Sequence, residues 1–306
     1  MKRRNKSFKS FYCLLALLFA WAPVSGEDAR ETARFGTYNV RNYVVMDRMV
    51  EGQWRPSYPK PEKEKRALRA AILEVRPDVL ALQEMGPRPF LNELREDLAE
   101  EGLEYRHAVH MEAADKVRHL AVLSKISPAA VIRHDDLDFK YFDAREVVKR
   151  GLLEVVFDQP HGVPLRVFVV HLKSHWSDID EDPESDMRRA REARACRKRI
   201  LERLDETGTE DFLVAGDFND HPASAPLRRF YQRGERKIGT LVPAADSRGE
   251  VWTHFYEKQG LYSQVDGFIA SQAVAGRVHE GRGHVFDQPK MSEGSDHRLV
   301  YLDLEW

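Results

Sequence analysis

One pattern repeats along the chain: an apolar run long enough for a buried strand, cut off by a cluster of polar side chains. Phe212-Leu213-Val214-Ala215 stops at Gly216-Asp217-Phe218-Asn219-Asp220, which predicts a buried strand delivering its last side chains to a sheet edge. Residues two apart along an extended chain share a face, so Asp217 and Asn219 point the same way. Asp78–Glu84, Leu165–Ser174 and Tyr262–Ala270 follow the same plan, with Glu84, His171 and Asp266 as their polar members. Arg34–Asn42 alternates as a strand and carries Asn39 near its end. Further strands are expected around 121–123, over Gly151–Phe157 and over Leu299–Leu304, the last just after Ser292-Glu293-Gly294-Ser295-Asp296-His297.

Helical spacing appears between these runs. Pro61-Glu62-Lys63-Glu64 opens a helix with Leu68, Ala71, Ile72 and Val75 on one stripe, and Pro77 stops it. Phe90, Leu94 and Leu98 mark a second helix over Phe90–Glu101. A third, Met187–Leu204, turns Met187, Ala190, Ala193, Ile200 and Leu204 inward and carries eight basic residues elsewhere. That basic surface is expected to be mostly solvated, yet able to steer a polyanion. Residues 127–150 are polar and poorly patterned, and 220–262 are rich in Pro, Gly and Arg, so both stretches read as irregular.

A chain of 306 residues, 42% hydrophobic and without internal repeats or a long Pro/Gly/Ser linker, suits one domain spanning 27–306. Residues 1–26 have the form of a signal peptide. Lys2, Arg3, Arg4, Lys6 and Lys9 precede the apolar run Phe11–Ala22, and Val24-Ser25-Gly26 offers small residues for cleavage. The run is short for a membrane span, so a secreted or periplasmic protein with no stable span after cleavage is expected, with a retained anchor as the alternative. Only Cys196 would remain, which excludes an intramolecular disulfide. Loss of five basic residues moves the formal charge from −2 to −7, and this argues against tight sequence-blind nucleic-acid binding unless a local basic face offsets it.

Taken singly, each polar strand end has a plain structural reading: an Asx turn at Asp217, a first solvated residue at Glu84, a hydrogen-bonded core histidine at His171. His171 and His175 have the spacing of a zinc pair, but no glutamate follows His171 and no helix is expected there. It is the order of the pieces that points to chemistry. Asn39, Glu84 in Leu-Gln-Glu, His171 in His-Leu-Lys-Ser, Asp217 and Asn219 in Gly-Asp-Phe-Asn, Asp266, and Ser-Asp-His at 295–297 resemble the endonuclease/exonuclease/phosphatase superfamily. That superfamily holds deoxyribonuclease-I-like nucleases, abasic-site endonucleases, bacterial sphingomyelinases and inositol polyphosphate phosphatases. The resemblance spans Arg34–Trp306, and its most specific part is Gly-Asp-Phe-Asn followed about eighty residues later by Ser-Asp-His.

The resemblance implies an α/β (α+β) four-layer sandwich, two mixed β-sheets packed face to face with helices on the outer faces, and the motifs meeting at one edge. It implies a metal-dependent phosphodiesterase, since in-line attack on a phosphodiester needs a cation, donors and a base. Glu84 would hold Mg²⁺ or Mn²⁺, with Asp296 sharing that role. Asp217 would orient or deprotonate water, while Asn39 and Asn219 donate to phosphate. His297 would contact phosphate or act as a base with Asp266 fixing its tautomer, and His171 would stabilise the leaving group or give it a proton. Arg150 is a candidate for a second phosphate contact. Gly267 stands where relatives often carry an aromatic residue, and no lesion-sensing or membrane-inserting segment stands out. The expected substrate is DNA or RNA, with a phospholipid or small phosphoester as the alternative and a catalytically dead binding protein as a remote one; a monomer is expected.

Overall fold

Alternation along the strands decides which layer each side chain enters. The computed structural model describes residues 32–160, 162–288 and 291–306, so the expected signal peptide at 1–26 lies outside the described residues. In the strand Thr32–Tyr43, Ala33 and Phe35 enter one apolar cluster, while Tyr38 and Val40 enter another on the opposite face. The first cluster also takes Val79 and Ala81 from Val79–Met85, Val167 and Val169 from Leu165–His171, and Leu213 and Ala215 from Phe212–Asp217. It is the layer between two sheets.

The first sheet runs, edge to edge, through Ala244–Ala245, Gly283–Val285, Val300–Glu305, Thr32–Tyr43, Val79–Met85, His119–Ser124 and His107–Met111. The second runs through Thr240–Leu241, Asp266–Ala270, Phe212–Asp217, Leu165–His171, Leu152–Phe157 and Ala130–His134. Both are mixed: Thr32–Tyr43 is parallel to Val79–Met85 and antiparallel to Val300–Glu305, and Leu165–His171 is parallel to Phe212–Asp217 and antiparallel to Leu152–Phe157.

Helices cover the outer faces. Helix α1 (Glu62–Val75) and α2 (Arg88–Glu100) bury Leu68, Ile72, Leu91, Leu94 and Leu98 against Leu80 and Leu82 of the first sheet. Helix α3 (Asp186–Thr207) and α4 (Ala225–Tyr231) bury Ala193, Cys196, Ile200, Leu227 and Phe230 against Phe168, Val170 and Val214 of the second. The result is the four-layer sandwich. Each fully buried Leu, Ile or Phe side chain contributes about 1.5–3 kcal/mol to holding these layers together. Among the described residues no helix is long and apolar enough to cross a membrane.

Three stretches differ from expectation. Residues 127–150 hold the edge strand Ala130–His134 and a hairpin of Asp138–Tyr141 with Ala144–Val147. The edge strand is half exposed, so its backbone pairing rather than an apolar pattern places it. Within 220–262, α4 is capped by the Ser224 hydroxyl, and short hairpins follow, including His254–Tyr256 with Leu261–Ser263. Several basic residues of α3 are paired with acids rather than merely solvated. Arg188 bonds Glu146, Arg189 bonds Asp220 and Asp186, Arg199 pairs with Asp136, and Arg203 bonds Glu154. Helical periodicity cannot see these partners, which come mostly from other elements; Arg191 and Arg197 bond only backbone carbonyls, and among the described residues Arg191, Arg194 and Arg197 have no carboxylate partner and stay available to steer a polyanion.

Candidate active site

The alternation that fills the inter-sheet core also aims the polar strand ends. Asn39 shares a face with Phe35, His171 with Val167 and Val169, Asp217 with Leu213 and Ala215, and Asp266 with Phe268 and Ala270. All four therefore point between the sheets at one edge. Asp217 sits beside His171 on its parallel neighbour and opposite Asp266 on its antiparallel one. Gly216 is required for this register: its φ is +150°, and a Cβ there would lie 2.0 Å from the Val170 carbonyl oxygen.

Asp217 is the hub. Asn39 Nδ2, from the other sheet, donates to Asp217 Oδ2 at 2.9 Å, and the Asn219 backbone N–H donates to Oδ1 at 2.8 Å. Asn219 Nδ2 donates to the Leu172 carbonyl at 3.0 Å and to Asp217 Oδ2 at 3.2 Å. Both of its amide hydrogens are thus engaged, which places Asn219 as an orienter of Asp217 rather than a phosphate donor. His297 Nδ1 lies 2.8 Å from Asp266 Oδ2, and its Nε2 lies 3.9 Å from Asp217 Oδ2. His171 Nε2 approaches Asp217 Oδ2 to 3.5 Å. His175, by contrast, is exposed, with Nδ1 3.4 Å from Glu184 Oε2, and among the described residues neither it nor His171 belongs to a three-ligand group.

Two hydroxyls to which the sequence reading gave no role, Ser295 within Ser-Asp-His and Thr253 outside any motif, fix this geometry. Ser295 Oγ donates to the Asn39 carbonyl at 2.8 Å and accepts from the His297 backbone N–H at 3.1 Å, tying the Ser-Asp-His loop to the Asn39 strand. Thr253 Oγ1 accepts from the backbone N–H groups of Val265 and Asp266, each at 3.0 Å. Next to it His254 bridges to His297 and packs ring on ring, centroids 4.5 Å apart. A lone His in an irregular stretch gave no reason to single it out.

Glu84 reaches the site by breaking the alternation. Leu80 and Leu82 face the helices, so regular pleating would send Glu84 there too. Instead Glu84 adopts φ +59°, Arg41 and Asn42 adopt φ +45° and +53°, and the pairing of both strands shifts register at this point. The bulges turn the carboxylate inward: Oε2 accepts from the Asn42 backbone N–H at 2.9 Å, and Oε1 lies 3.9 Å from His171 Nε2. Asn42 Oδ1 is buried beside it with no partner. A carboxylate and an orphaned amide oxygen at one bulge are hard donors that fit Mg²⁺ or Mn²⁺. Asp296 lies 3.4 Å from Arg41 Nε. Among the described residues, the groups of three His and carboxylate ligands within 4.8 Å of one another are His254, Asp296, His297 and Asp217, Asp266, His297; Glu84 belongs to neither.

The charges sort the roles. Burial and the adjacent Asp266 push the Asp217 carboxyl up to about 7, the range of a general base working near neutral pH. Burial opposes a charge on His297, but the Asp266 and Asp217 carboxylates outweigh it and raise its pKa to about 10, so it is a cation. Burial, with the positive charges of Arg150, His297, Arg118 and Lys173, holds His171 well below the usual imidazole range, so it is neutral. Arg150 is buried on the far side of His171, with Nε 3.0 Å from Asp115 Oδ2. At Gly267 an added Cβ would meet only Leu241 Cδ1, at 3.9 Å, so the missing side chain leaves space and not a changed site.

Solved structures share this architecture. An endonuclease/exonuclease/phosphatase protein from Bacteroides vulgatus is 16% identical, with a TM-score of 0.62 over 90% of this chain and 99% of that one. Sphingomyelinase C from Streptomyces griseocarneus is 16% identical, with a TM-score of 0.59 over 90% and 99%. The human nocturnin catalytic domain with bound sulfate is 14% identical, with a TM-score of 0.59 over 89% and 93%. No curated protein sequence matches the chain. The model of the Endonuclease/Exonuclease/phosphatase family matches residues 36–297, from before Asn39 through His297, and the chain belongs to that family.

Proposed function

We propose that this protein is an exported, divalent-metal-dependent phosphodiesterase that hydrolyses nucleic acid. Family members are hydrolases of phosphoester bonds and generally use divalent metal ions. The observation that carries the reading is the Asp217 carboxylate, oriented by Asn39 and Asn219 and flanked by one cationic and one neutral imidazole.

Asp217 accepts the proton of the attacking water, which its raised pKa suits. His297, held charged and in one tautomer by Asp266, contacts the phosphate oxygens and is too basic to serve as the base. His171 is neutral at pH 7 and donates a hydrogen bond to the leaving oxygen rather than a proton. Asn39, which spends one amide hydrogen on Asp217, keeps the other for a nonbridging oxygen. A cation held by Glu84 with Asp296 would supply Lewis-acid neutralisation of the charge that develops on phosphate.

The test is to incubate the purified protein with plasmid DNA, RNA, sphingomyelin and a chromogenic phosphodiester, each with and without Mg²⁺. Metal-dependent loss of supercoiled plasmid or RNA supports the reading. Turnover of sphingomyelin alone shifts it to the lipid branch, which the formal charge of −7 favours. No turnover of any substrate indicates a binding protein. Export is read separately, by N-terminal sequencing of protein recovered outside the cytoplasm, with Glu27 as the expected first residue.

A further inference from the structure

The bulge that presents the Asn42 N–H to Glu84 holds two consecutive left-handed residues with side chains, Arg41 and Asn42. A residue other than glycine stays in that region only where its surroundings keep it there. The carbonyls of both are taken by cations from the segment that follows. Lys60 Nζ donates to the Arg41 carbonyl at 3.1 Å, and Arg48 Nη2 donates to the Asn42 carbonyl at 3.0 Å and to that of Val44 at 2.6 Å. The Arg41 carbonyl and the Asn42 N–H belong to one planar peptide unit and point in opposite directions. The Lys60 ammonium and the Glu84 carboxylate therefore grip the two ends of a single rigid group.

Lys60 is placed for this by sequence and by burial. It stands between Pro59 and Pro61; a proline fixes its own φ and holds the residue before it extended, so the Lys60 backbone has little freedom. Its side chain is 0% exposed, and a buried ammonium is costly unless partners meet it. Those partners are the Arg41 carbonyl and Glu64 Oε2, the latter at 3.0 Å from the first turn of α1. A pair between Lys60 and Glu64 alone would need no burial. Arg48 sits on the hairpin of Met46–Val50 with Gln53–Tyr58, and its Nε bonds the Tyr58 carbonyl at 3.2 Å. Among the described residues it has no carboxylate partner, so its hydrogen bonds go to backbone carbonyls.

We propose that Lys60, with Arg48 in support, is a positioning residue for the metal site: its ammonium clamps the peptide between Arg41 and Asn42, and so keeps the Asn42 N–H on Glu84 and the Arg41 side chain beside Asp296. The inference rests on the metal-dependent reading above. Without the clamp, Arg41 can relax to an ordinary backbone angle. That turns the peptide plane and takes the N–H off the carboxylate, which then loses the orientation in which it meets a cation.

The experiment compares Lys60→Met, which keeps the bulk and removes the donor, with Glu64→Gln, which breaks the ion pair and keeps the donor. Mn²⁺ affinity is read by electron paramagnetic resonance without substrate, and exchange of the Asn42 amide by NMR in the metal-free protein. Lys60→Met should weaken Mn²⁺ binding about tenfold or more, the scale for a group that orients a metal ligand, and should speed exchange at Asn42. Glu64→Gln should cost some thermal stability and leave both readouts unmoved. Should Lys60→Met not fold, Lys60→Met with Glu64→Leu removes both charges and carries the same expectation. Mn²⁺ affinity that is unmoved in Lys60→Met, or raised as loss of a nearby positive charge alone would raise it, overturns the clamp and leaves the metal reading standing. Equal losses in Lys60→Met and Glu64→Gln also overturn it, since Lys60 would then act through its ion pair. Wild-type protein that binds no Mn²⁺ overturns the metal reading instead, and the clamp then stands or falls on Asn42 exchange alone.

Discussion

Asn39 and Asp217 are 178 positions apart and lie in different sheets, yet a single 2.9 Å hydrogen bond from Asn39 Nδ2 to Asp217 Oδ2 joins them. The site is therefore built across the seam of the sandwich, and its chemistry depends on the sheets keeping their register.

The first prediction follows from that hub. In Asp217→Asn the carboxamide must turn its NH₂ towards either the Asn219 backbone N–H or the two donors at Oδ2, so a hydrogen bond is lost whichever way it flips. Neutralising a buried carboxylate whose pKa burial and Asp266 have raised removes a cost of similar size. Thermal stability should stay within a few degrees of wild type while kcat falls about a hundredfold or more. Calorimetric melting and steady-state kinetics check both halves. An active variant removes Asp217 from the base role, and an unfolded one makes it a structural turn residue.

Much of this hub was legible in the sequence because pleating is strict. Parity places His171 on one face with Val167 and Val169, and Asp217 with Leu213 and Ala215, but these strands are apolar on both faces, Phe168, Val170 and Val214 packing on the other, so the two-sheet fold came from the resemblance of the motif order and not from alternation. Glu84 was found by its place in the motif order and not by parity, since only the bulge at φ +59° aims it inward. Thr253, Ser295 and His254 act through backbone hydrogen bonds and a ring contact from distant segments, which leave no periodic trace. The α3 arginines show the opposite failure: their charge was visible, but partners such as Glu146, Asp136 and Glu154 lie on other strands and loops.

The second prediction concerns metal. Glu84 and the orphaned Asn42 Oδ1 offer hard oxygen donors at one bulge. Activity should vanish in excess chelator and return with Mg²⁺ or Mn²⁺, and Glu84→Gln should need a much higher metal concentration for half-maximal rate. Mn²⁺ binding, followed by electron paramagnetic resonance in the absence of substrate, should weaken in the same variant. Full turnover in chelator, or a tightly held zinc by elemental analysis, contradicts the assignment.

A third prediction lies away from the site, at Glu154, which is fully buried and accepts from His134, Arg203 and Arg166. Burial alone would raise its carboxyl; these hydrogen bonds and the Arg203 charge outweigh burial and hold it below 4.5. A carboxylate whose folded pKa is depressed contributes stability that is complete above its unfolded value and is lost as pH falls through the folded one. Glu154→Gln should cost about 3 kcal/mol at pH 7, because it leaves buried arginine charge uncompensated. The gap between variant and wild type should narrow as pH falls below about 4.5. Urea midpoints at pH 7, 5 and 4 measure it, and a constant gap would mean that the cost is one of shape and not charge.

The last prediction treats His297 and Asp266 as one unit. Their contact is 2.8 Å, the imidazole is charged because of Asp266 and Asp217, and the Asp266 backbone is itself pinned by Thr253. Asp266→Asn should remove most of the force that keeps His297 protonated and turned towards Asp217, so it should lose activity nearly as heavily as His297→Ala. If both act through one charged imidazole, the second substitution has little left to remove. The double variant should then lie close to the worse single one, with a coupling of about 2 kcal/mol or more in ΔΔG‡. The imidazole titration, followed by NMR in the metal-free protein, should shift down in Asp266→Asn, a readout that a merely structural aspartate would not move. Large losses that add strictly would separate the two residues into independent contacts. Small losses that add would make Asp266 a turn residue and His297 a bystander of the loop that Ser295 anchors.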